Sequence, residues 1–305
     1  MDKARGHVAV LLCCLIFATN ILVTSSLTEE WMTPMGYTAS RLLYGAVALW
    51  LIDLFFTKER VARKDLLVLA VGGFLGFVVS QLAFATSVQY TSPVNFSLIM
   101  AMVPIVTLVL SVLFLRERTR LANVIGIFLS IAGAVTVVLQ RSTDATSGSN
   151  DLLGIGIAVV SMSSYAVYLI LTRAVTLRYQ SITILKWMYL FTALMVLPFG
   201  ADDLLEQRIY GGEATWSALG QLGFVFVFDT TLVFFLLLFA LHRLNATTVS
   251  TYLNLLPIFT SVIAIAIGAE TPTLTMAVAT VLVVGGVLLV TRPVGAPSPV
   301  PLEDA

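Results

Sequence analysis

The chain has 305 residues, 58% of them apolar and 11% charged, with no net charge and a mean hydropathy of +0.97. So few polar side chains could not cover a water-soluble protein of this length, and a neutral chain offers nucleic acid no electrostatic footprint. The solvent to reason with is a bilayer, whose hydrocarbon, about 30 Å thick, calls for helices of ~20 mostly apolar residues.

Ten stretches meet that requirement. The first, His7 to Leu27, follows Lys3 and Arg5 as a signal peptide would. Its apolar run is too long for a signal and lacks a small-residue cleavage site, so it reads as a retained helix. Adjacent Cys13 and Cys14 point to different faces of it, cannot pair with each other and read as packing residues. The second span, Pro34 to Phe56, holds Arg41, and the third, Asp65 to Val88, holds the small-residue surface Gly72, Gly73, Gly76 and then Phe77, Gln81 and Phe84. The fourth, Ser92 to Leu115, carries Asn95, Ile99 and Pro104, and the fifth runs from Leu121 to Leu139. A Ser-, Thr- and Gly-rich connection, Gln140 to Asp151, leads into the sixth, Leu152 to Val175, with Tyr165 and Tyr168. The seventh, Ile182 to Phe199, is followed by an acidic segment, Gly200 to Thr215, expected to be a solvated loop. Asp229 interrupts the eighth span, Trp216 to Leu241; the ninth, Ala246 to Ala269, holds Thr248, Tyr252 and Pro257, and the tenth is Thr273 to Thr291.

Positive segments resist translocation, so Lys and Arg in short loops set orientation. With both ends of the chain in the cytoplasm and ten spans, fourteen of the 17 basic residues fall inside, Arg141 and Arg208 fall outside, and Arg41 lies within a helix. The expected location is the inner (plasma) membrane, crossed many times, with both termini cytoplasmic. The connections leave no room for a soluble catalytic domain. No Walker loop, Gly-x-Ser-x-Gly or zinc spacing occurs, and the only histidines are His7 and His242, so the expectation is no enzyme, no cofactor and no metal.

A shift of 153 positions lays the fourth and fifth spans on the ninth and tenth: Pro104 meets Pro257, Glu117 meets Glu270, Gly133 meets Gly286, Ser97 meets Ser250 and Thr107 meets Thr260. A shift of 148 lays Phe17-Ala18-Thr19-Asn20 on Tyr165-Ala166-Val167-Tyr168. The expected organisation is a first five-helix repeat over residues 1–140, a linker over 141–151, and a second repeat with a short tail over 152–305. Because five is odd, the second copy enters the membrane from the opposite side, making an all-α membrane protein of two inverted five-helix repeats. That build belongs to secondary carriers, whose halves exchange conformations around a midplane site.

Two segments resemble the EamA-like family of the drug/metabolite transporter superfamily. In the first half they are Phe84-Ala85-Thr86-Ser87-Val88-Gln89-Tyr90-Thr91-Ser92-Pro93, Pro104, Leu115-Arg116-Glu117-Arg118, Gly126 and Gly133. The second half repeats them as Ala240-Leu241-His242-Arg243-Leu244-Asn245-Ala246, Pro257, Gly268-Ala269-Glu270-Thr271 and Gly285-Gly286. Arg41 in Ala39-Ser40-Arg41-Leu42 looks like the family's second-helix arginine. Pro93 departs from the small residue expected after Tyr-Thr-Ser, and the second acidic motif is looser. The resemblance implies ten helices, cytoplasmic termini and export or exchange of metabolites. Within the family the chain looks most like bacterial exporters of aromatic and other neutral amino acids, the YddG type.

Candidate solute-binding residues come from polar and aromatic stripes at matched places in the two halves. Asn95 falls on Thr248 and Ile99 on Tyr252, each pair four residues apart along its helix. Gln81, with Phe77 and Phe84, adds an amide and two rings; Asn20, Tyr165 and Tyr168 do the same from the first and sixth spans. Each taken alone reads as an interhelical hydrogen bond or aromatic packing. Together they describe an apolar, uncharged lining suited to neutral or aromatic zwitterions. Asp229, costing roughly 2.5 to 3.5 kcal/mol at mid-membrane, needs a partner and has two readings, a coupling charge or a structural one. Helical phase puts it about 140° from Phe234, the repeat counterpart of Gln81. Arg41 has a functional reading, meeting a substrate carboxylate, and a favoured structural one, snorkelling to the interface or pairing with an acid. Pro104 and Pro257 are hinge candidates.

The expected activity is export of neutral or aromatic amino acids, or similar small metabolites, by alternating access, with the solute and the lipid as partners and the chain acting as a monomer. Alternatives are a nucleotide-sugar or phosphate-ester exchanger, which would want Lys or Arg in its cavity, and a membrane-embedded enzyme or receptor.

Overall fold

The computed structural model of the protein describes residues 2–55, 59–91, 96, 99–115, 120–142, 151–266 and 274–291. Among them run ten helices: α1 (Asp2–Glu30), α2 (Pro34–Asp53), α3 (Arg63–Tyr90), α4 (Val103–Leu115), α5 (Leu121–Ser142), α6 (Asp151–Thr176), α7 (Ser181–Leu205), α8 (Trp216–Arg243), α9 (residues 246–266) and α10 (Leu274–Thr291). No strand occurs among the described residues. α1, α3, α6, α7 and α8 are each long and apolar enough to cross a bilayer, and shorter apolar helices lie within α4, α5 and α10.

Short polar side chains start the helices. The Thr33 hydroxyl accepts from Gly36 N at 3.0 Å ahead of Pro34, Thr215 accepts from Ala218 N at 3.1 Å, and Asn245 Oδ1 accepts from Thr248 N at 2.8 Å. Each satisfies an amide that the first helical turn leaves without a partner. Several helices run past the predicted apolar spans. α7 continues to Leu205, and a 3-10 turn, Arg208–Tyr210, occupies much of the segment expected to be a solvated loop. There Gln207 and Ile209 are buried, and Gln207 Oε1 accepts from Thr33 N at 2.6 Å, so this segment docks on the α1–α2 turn.

Three spans depart from regular α-helix. α3 contains a π segment at Phe74–Val79 and α8 one at Val225–Val233, and a shift of 153 carries the first onto part of the second. α4 contains a third at Ser111–Leu115. The prolines act locally as expected of a residue without an N–H whose ring crowds the preceding turn. Ala101 and Met102 form a turn just before Pro104, and Leu253–Leu255 tighten to 3-10 geometry just before Pro257.

The packing is symmetric under exchange of each helix with the one five places on. α5 lies against α10 and α2 against α7, both pairs mapping onto themselves; α3 on α6 maps to α8 on α1, and α4 on α6 to α9 on α1. The self-mapped pairs are antiparallel. Along α2 and α7, Thr33 meets Gln207 just past the end of α7, Ala39 meets Gly200, Gly45 meets Tyr189 and Asp53 meets Lys186. Along α5 and α10, Gly126 meets Val290 and Gly133 meets Ala279. Small residues let these backbones touch. A Cβ placed on Gly133 would lie 2.7 Å from Ala279 O, so Gly133→Val is expected to lower the melting point in detergent, at a cost of about 1–3 kcal/mol.

The ends sort by charge. Lys186 Nζ meets Asp53 Oδ2 at 2.6 Å, Arg178 meets Asp65 at 2.9 Å and the Tyr179 hydroxyl donates to Asp65 at 2.8 Å, gathering the basic ends of α2, α3, α6 and α7. The opposite, acidic end gathers Glu29, Glu30, Asp202, Asp203 and Glu206 around the α1–α2 turn and the end of α7. Cys13 and Cys14 are buried, their thiols donating to Val233 O and Tyr252 O, as packing residues should.

Candidate functional site

A small cavity of about 50 Å³ lies between the halves. Its wall comes from α1 (Phe17, Asn20, Ile21), α3 (Ser80, Gln81, Phe84), the residues leading into α4 (Phe96, Met100), α6 (Ser161, Tyr165) and α9 (Leu253, Leu256). None of these side chains is charged. Met100, next to the break before Pro104, and Leu253 and Leu256, at the break before Pro257, all line the space, so the two interrupted helices flank it. Toward the basic end the wall is closed. Ser111 of α4 and Thr247 of α9 approach to 3.0 Å, and His7 Nδ1 meets the Tyr252 hydroxyl at 2.8 Å.

Behind Gln81 and Asn20 lies the protein's deepest charge pair. Asp229 is fully buried and Arg41 is 3% exposed, and Arg41 Nη2 donates to Asp229 Oδ2. The guanidinium spends its other bonds on neutral groups: Nε on Thr230 Oγ1 at 3.0 Å, Nη1 on Gln81 Oε1 at 2.9 Å and on the Tyr37 hydroxyl at 3.4 Å. Tyr37 in turn meets Thr24 Oγ1 at 2.8 Å and Asn20 Oδ1 at 3.4 Å. A small gap of about 10 Å³, edged by Arg41, Gln81, Phe77, Tyr189 and Phe234, lies beside the pair.

The π segment of α8 explains how Asp229 finds Arg41. Regular α-helical phase would turn it well away from Phe234, but i→i+5 bonding inserts a residue into the turn and brings positions five apart nearly into line. Asp229 therefore faces α2 on the side where Phe234 edges the gap next to Arg41. The same segment exposes a carbonyl, and Tyr189 donates its hydroxyl to Thr230 O at 2.8 Å.

Four of the residues singled out from sequence line the cavity: Asn20, Gln81, Phe84 and Tyr165. Four others do not. Phe77 packs with Tyr168, Tyr189 and Phe234, at ring centroid distances of 4.5 Å from the last two. Tyr168 is buried in that cluster, and Ile99 packs into the adjoining apolar core. Tyr252 is turned to His7 at the basic end. Thr248 sits in the buried first turn of α9 beside its cap, away from the cavity. Asn95, Ser97, Glu117 and Glu270 lie outside the described residues. Arg41 does not snorkel; it takes the paired alternative. Sequence reasoning missed Phe17, Ile21, Ser80, Phe96, Met100, Ser161, Leu253 and Leu256 as wall residues. Ser80 and Ser161 gave a signal of sorts, as polar positions inside apolar helices, and they bond across α3 and α6 at 3.4 Å.

A helical bundle of many apolar spans, its matched halves meeting at a cavity whose wall carries no charged side chain, is the build of a multi-pass membrane transporter. The sequence pattern of the EamA-like transporter family matches residues 4–139 and again residues 152–292, once per half, and the chain belongs to that family. Among curated relatives, the uncharacterized transporter YyaM of Bacillus subtilis is 26% identical over 286 residues, 90% of this chain and 89% of its own. An uncharacterized transporter of Archaeoglobus fulgidus is 26% identical over 234 residues, 77% of this chain and 80% of its own. The uncharacterized inner membrane transporter YhbE of Escherichia coli is 27% identical over 212 residues, 66% of this chain and 61% of its own. A solved crystal structure superposes with a TM-score of 0.75 over 95% of this chain and 96% of that one, at 18% identity, which shows a shared fold.

Proposed function

We propose that the protein exports neutral or aromatic amino acids, or small metabolites of like chemistry, across the inner membrane by alternating access. The observation that carries this reading is the composition of the cavity wall. Amides, hydroxyls and aromatic rings from both halves surround a space to which no described wall residue brings a charge, and nearby Arg41 is already neutralised by Asp229. A zwitterion needs hydrogen bonds for its charged ends and apolar walls for its side chain. A phosphate ester would instead call for an unneutralised Lys or Arg, and no described wall residue is one.

The exchange symmetry and the antiparallel α2–α7 and α5–α10 pairs support two inverted repeats, and the basic end, with both chain termini, is assigned to the cytoplasm by the charge rule. In that frame the contacts Ser111–Thr247 and His7–Tyr252 form a closed cytoplasmic barrier, so the conformation is one that excludes the cytoplasm. Rocking of the halves, with α4 and α9 bending at the breaks before Pro104 and Pro257, opens it. Arg41 and Asp229 act as a fixed, mutually neutralising pair behind the wall.

Purified protein in liposomes is expected to speed the exit of radiolabelled phenylalanine and leucine over protein-free vesicles, and to leave sugar phosphates unmoved. Acceleration of sugar phosphates and not of amino acids would overturn the reading.

A further inference from the structure

Resting on the amino-acid reading above, we propose that Asn20 Nδ2 and Gln81 Nε2 form a receptor for the solute's carboxylate, oriented by Arg41. An Asn or Gln side chain carries both an acceptor oxygen and an NH₂ donor group, so an amide in a cavity wall can in principle hold either an anion or an ammonium. Here the protein has fixed which end each one shows.

A guanidinium has donors only. Arg41 Nη1, 2.9 Å from the Gln81 amide, therefore requires Oε1 there, and the Gln81 NH₂ turns away from Arg41. The second amide is set through a relay. Arg41 Nη1 also donates to the Tyr37 hydroxyl, which lies 2.8 Å from Thr24 Oγ1, and both hydroxyls reach Asn20 Oδ1, at 3.4 Å and 3.3 Å. Whichever hydroxyl donates to the other, one hydroxyl proton remains for Asn20 Oδ1. The Asn20 oxygen is thus held on the side of the relay, leaving its NH₂ for the space that its side chain lines.

Two wall amides with their acceptors engaged from behind offer the solute four N–H donors and no amide acceptor. A carboxylate, which only accepts, matches that set; an ammonium does not. The positive charge of Arg41 polarises both amides in the direction that strengthens their N–H groups, while Asp229 keeps the net charge of the cluster at zero. The donors therefore attract a carboxylate without making the cavity a general anion site. The rings of Phe17, Phe84 and Tyr165 remain for the solute's apolar part and ammonium.

The test compares three ligands that differ only at the carboxyl group: phenylalanine, phenylalaninamide and phenethylamine, titrated calorimetrically into purified protein. Each donor pair contributes as hydrogen bonds to charged groups do, so phenylalanine is expected to bind about tenfold tighter than the other two, or more. Gln81→Glu keeps a partner for Arg41 but turns a carboxylate oxygen to the cavity, and should invert the order in favour of phenethylamine. Gln81→Met, of similar shape and without N–H donors, removes one of the two amides and should narrow the gap between phenylalanine and the other two ligands. Tyr37→Phe leaves the wall intact, cuts the relay from Arg41 and leaves Asn20 Oδ1 only the Thr24 hydroxyl at 3.3 Å, and should shrink the preference for the carboxylate. Melting curves identify any variant that fails to fold, and either Gln81 variant alone then decides. Equal binding of the three ligands by the wild-type protein, or an undiminished phenylalanine preference in a folded Gln81→Met or Gln81→Glu protein, overturns the receptor and leaves amino-acid transport standing. Failure of the wild-type protein to bind any of the three removes the amino-acid reading and this inference with it.

Discussion

Asp229→Leu alone is expected to cost about 3–5 kcal/mol of stability, and the double variant Arg41→Leu/Asp229→Leu to recover most of it. The asymmetry follows from the geometry. Removing the acid leaves a guanidinium buried among Tyr37, Thr230 and Gln81 with no counter-charge, and a cation at 3% exposure cannot relax into water. Removing both charges replaces the pair with apolar groups between α2 and α8, where Phe77, Tyr189 and Phe234 already edge the neighbouring gap. Thermal unfolding of the purified single and double variants in one detergent, treated as a double-mutant cycle, gives the coupling directly. Additive effects of the two substitutions would mean that the charges do not depend on each other. The double variant has a further use. If it folds and its cavity is intact, its ligand preference reports on Arg41 without the complication of an orphaned charge.

The sequence carried the bilayer, the number of spans and the duplication because each depends on average properties over twenty residues or on fixed spacing. It carried the partners of Arg41 and Asp229 only as alternatives. Two charges in hydrocarbon must meet something, but which helix faces which depends on the phase of α8. A π segment changes that phase without a mark in composition, since Phe224-Val225-Phe226-Val227-Phe228 is as compatible with α-helix as with π-helix. Ile99, Thr248 and Tyr252 lie away from the cavity for a related reason. Repeat symmetry shows which positions correspond, but the two copies are not in the same state at the basic end, where α9 is pressed against α4 and Tyr252 turns to His7. Asn20, Gln81, Phe84 and Tyr165 were legible because each sits well inside its span, away from the helix ends, where a polar or aromatic side chain has few ways to avoid the interior. The wall residues Ile21, Met100, Leu253 and Leu256 were not, because an apolar side chain facing a cavity looks the same in sequence as one facing lipid.

Joining α4 to α9 at the basic end should stop net transport while leaving binding in place. Ser111 Oγ and Thr247 Oγ1 lie 3.0 Å apart and both residues are buried, so Ser111→Cys/Thr247→Cys places two thiols where oxidation can join them. Cys13 and Cys14, buried and bonded to backbone carbonyls, are not expected to interfere. Under alternating access the cavity must reach both faces in turn, and a covalent tie across the closed side removes one of the two states. Oxidised protein in liposomes is expected to fall to the flux of empty vesicles, to regain activity with reductant, and to bind phenylalanine from the side opposite the tie throughout. Each single-cysteine variant should transport whether oxidised or reduced. A channel-like pathway, or one that never opens between these two helices, would tolerate the tie, so undiminished flux in fully cross-linked protein would exclude the motion on which the transport reading depends. Loss of binding together with flux would instead show that the tie distorts the chamber, and a longer cross-linker at the same two positions would then separate closure from distortion.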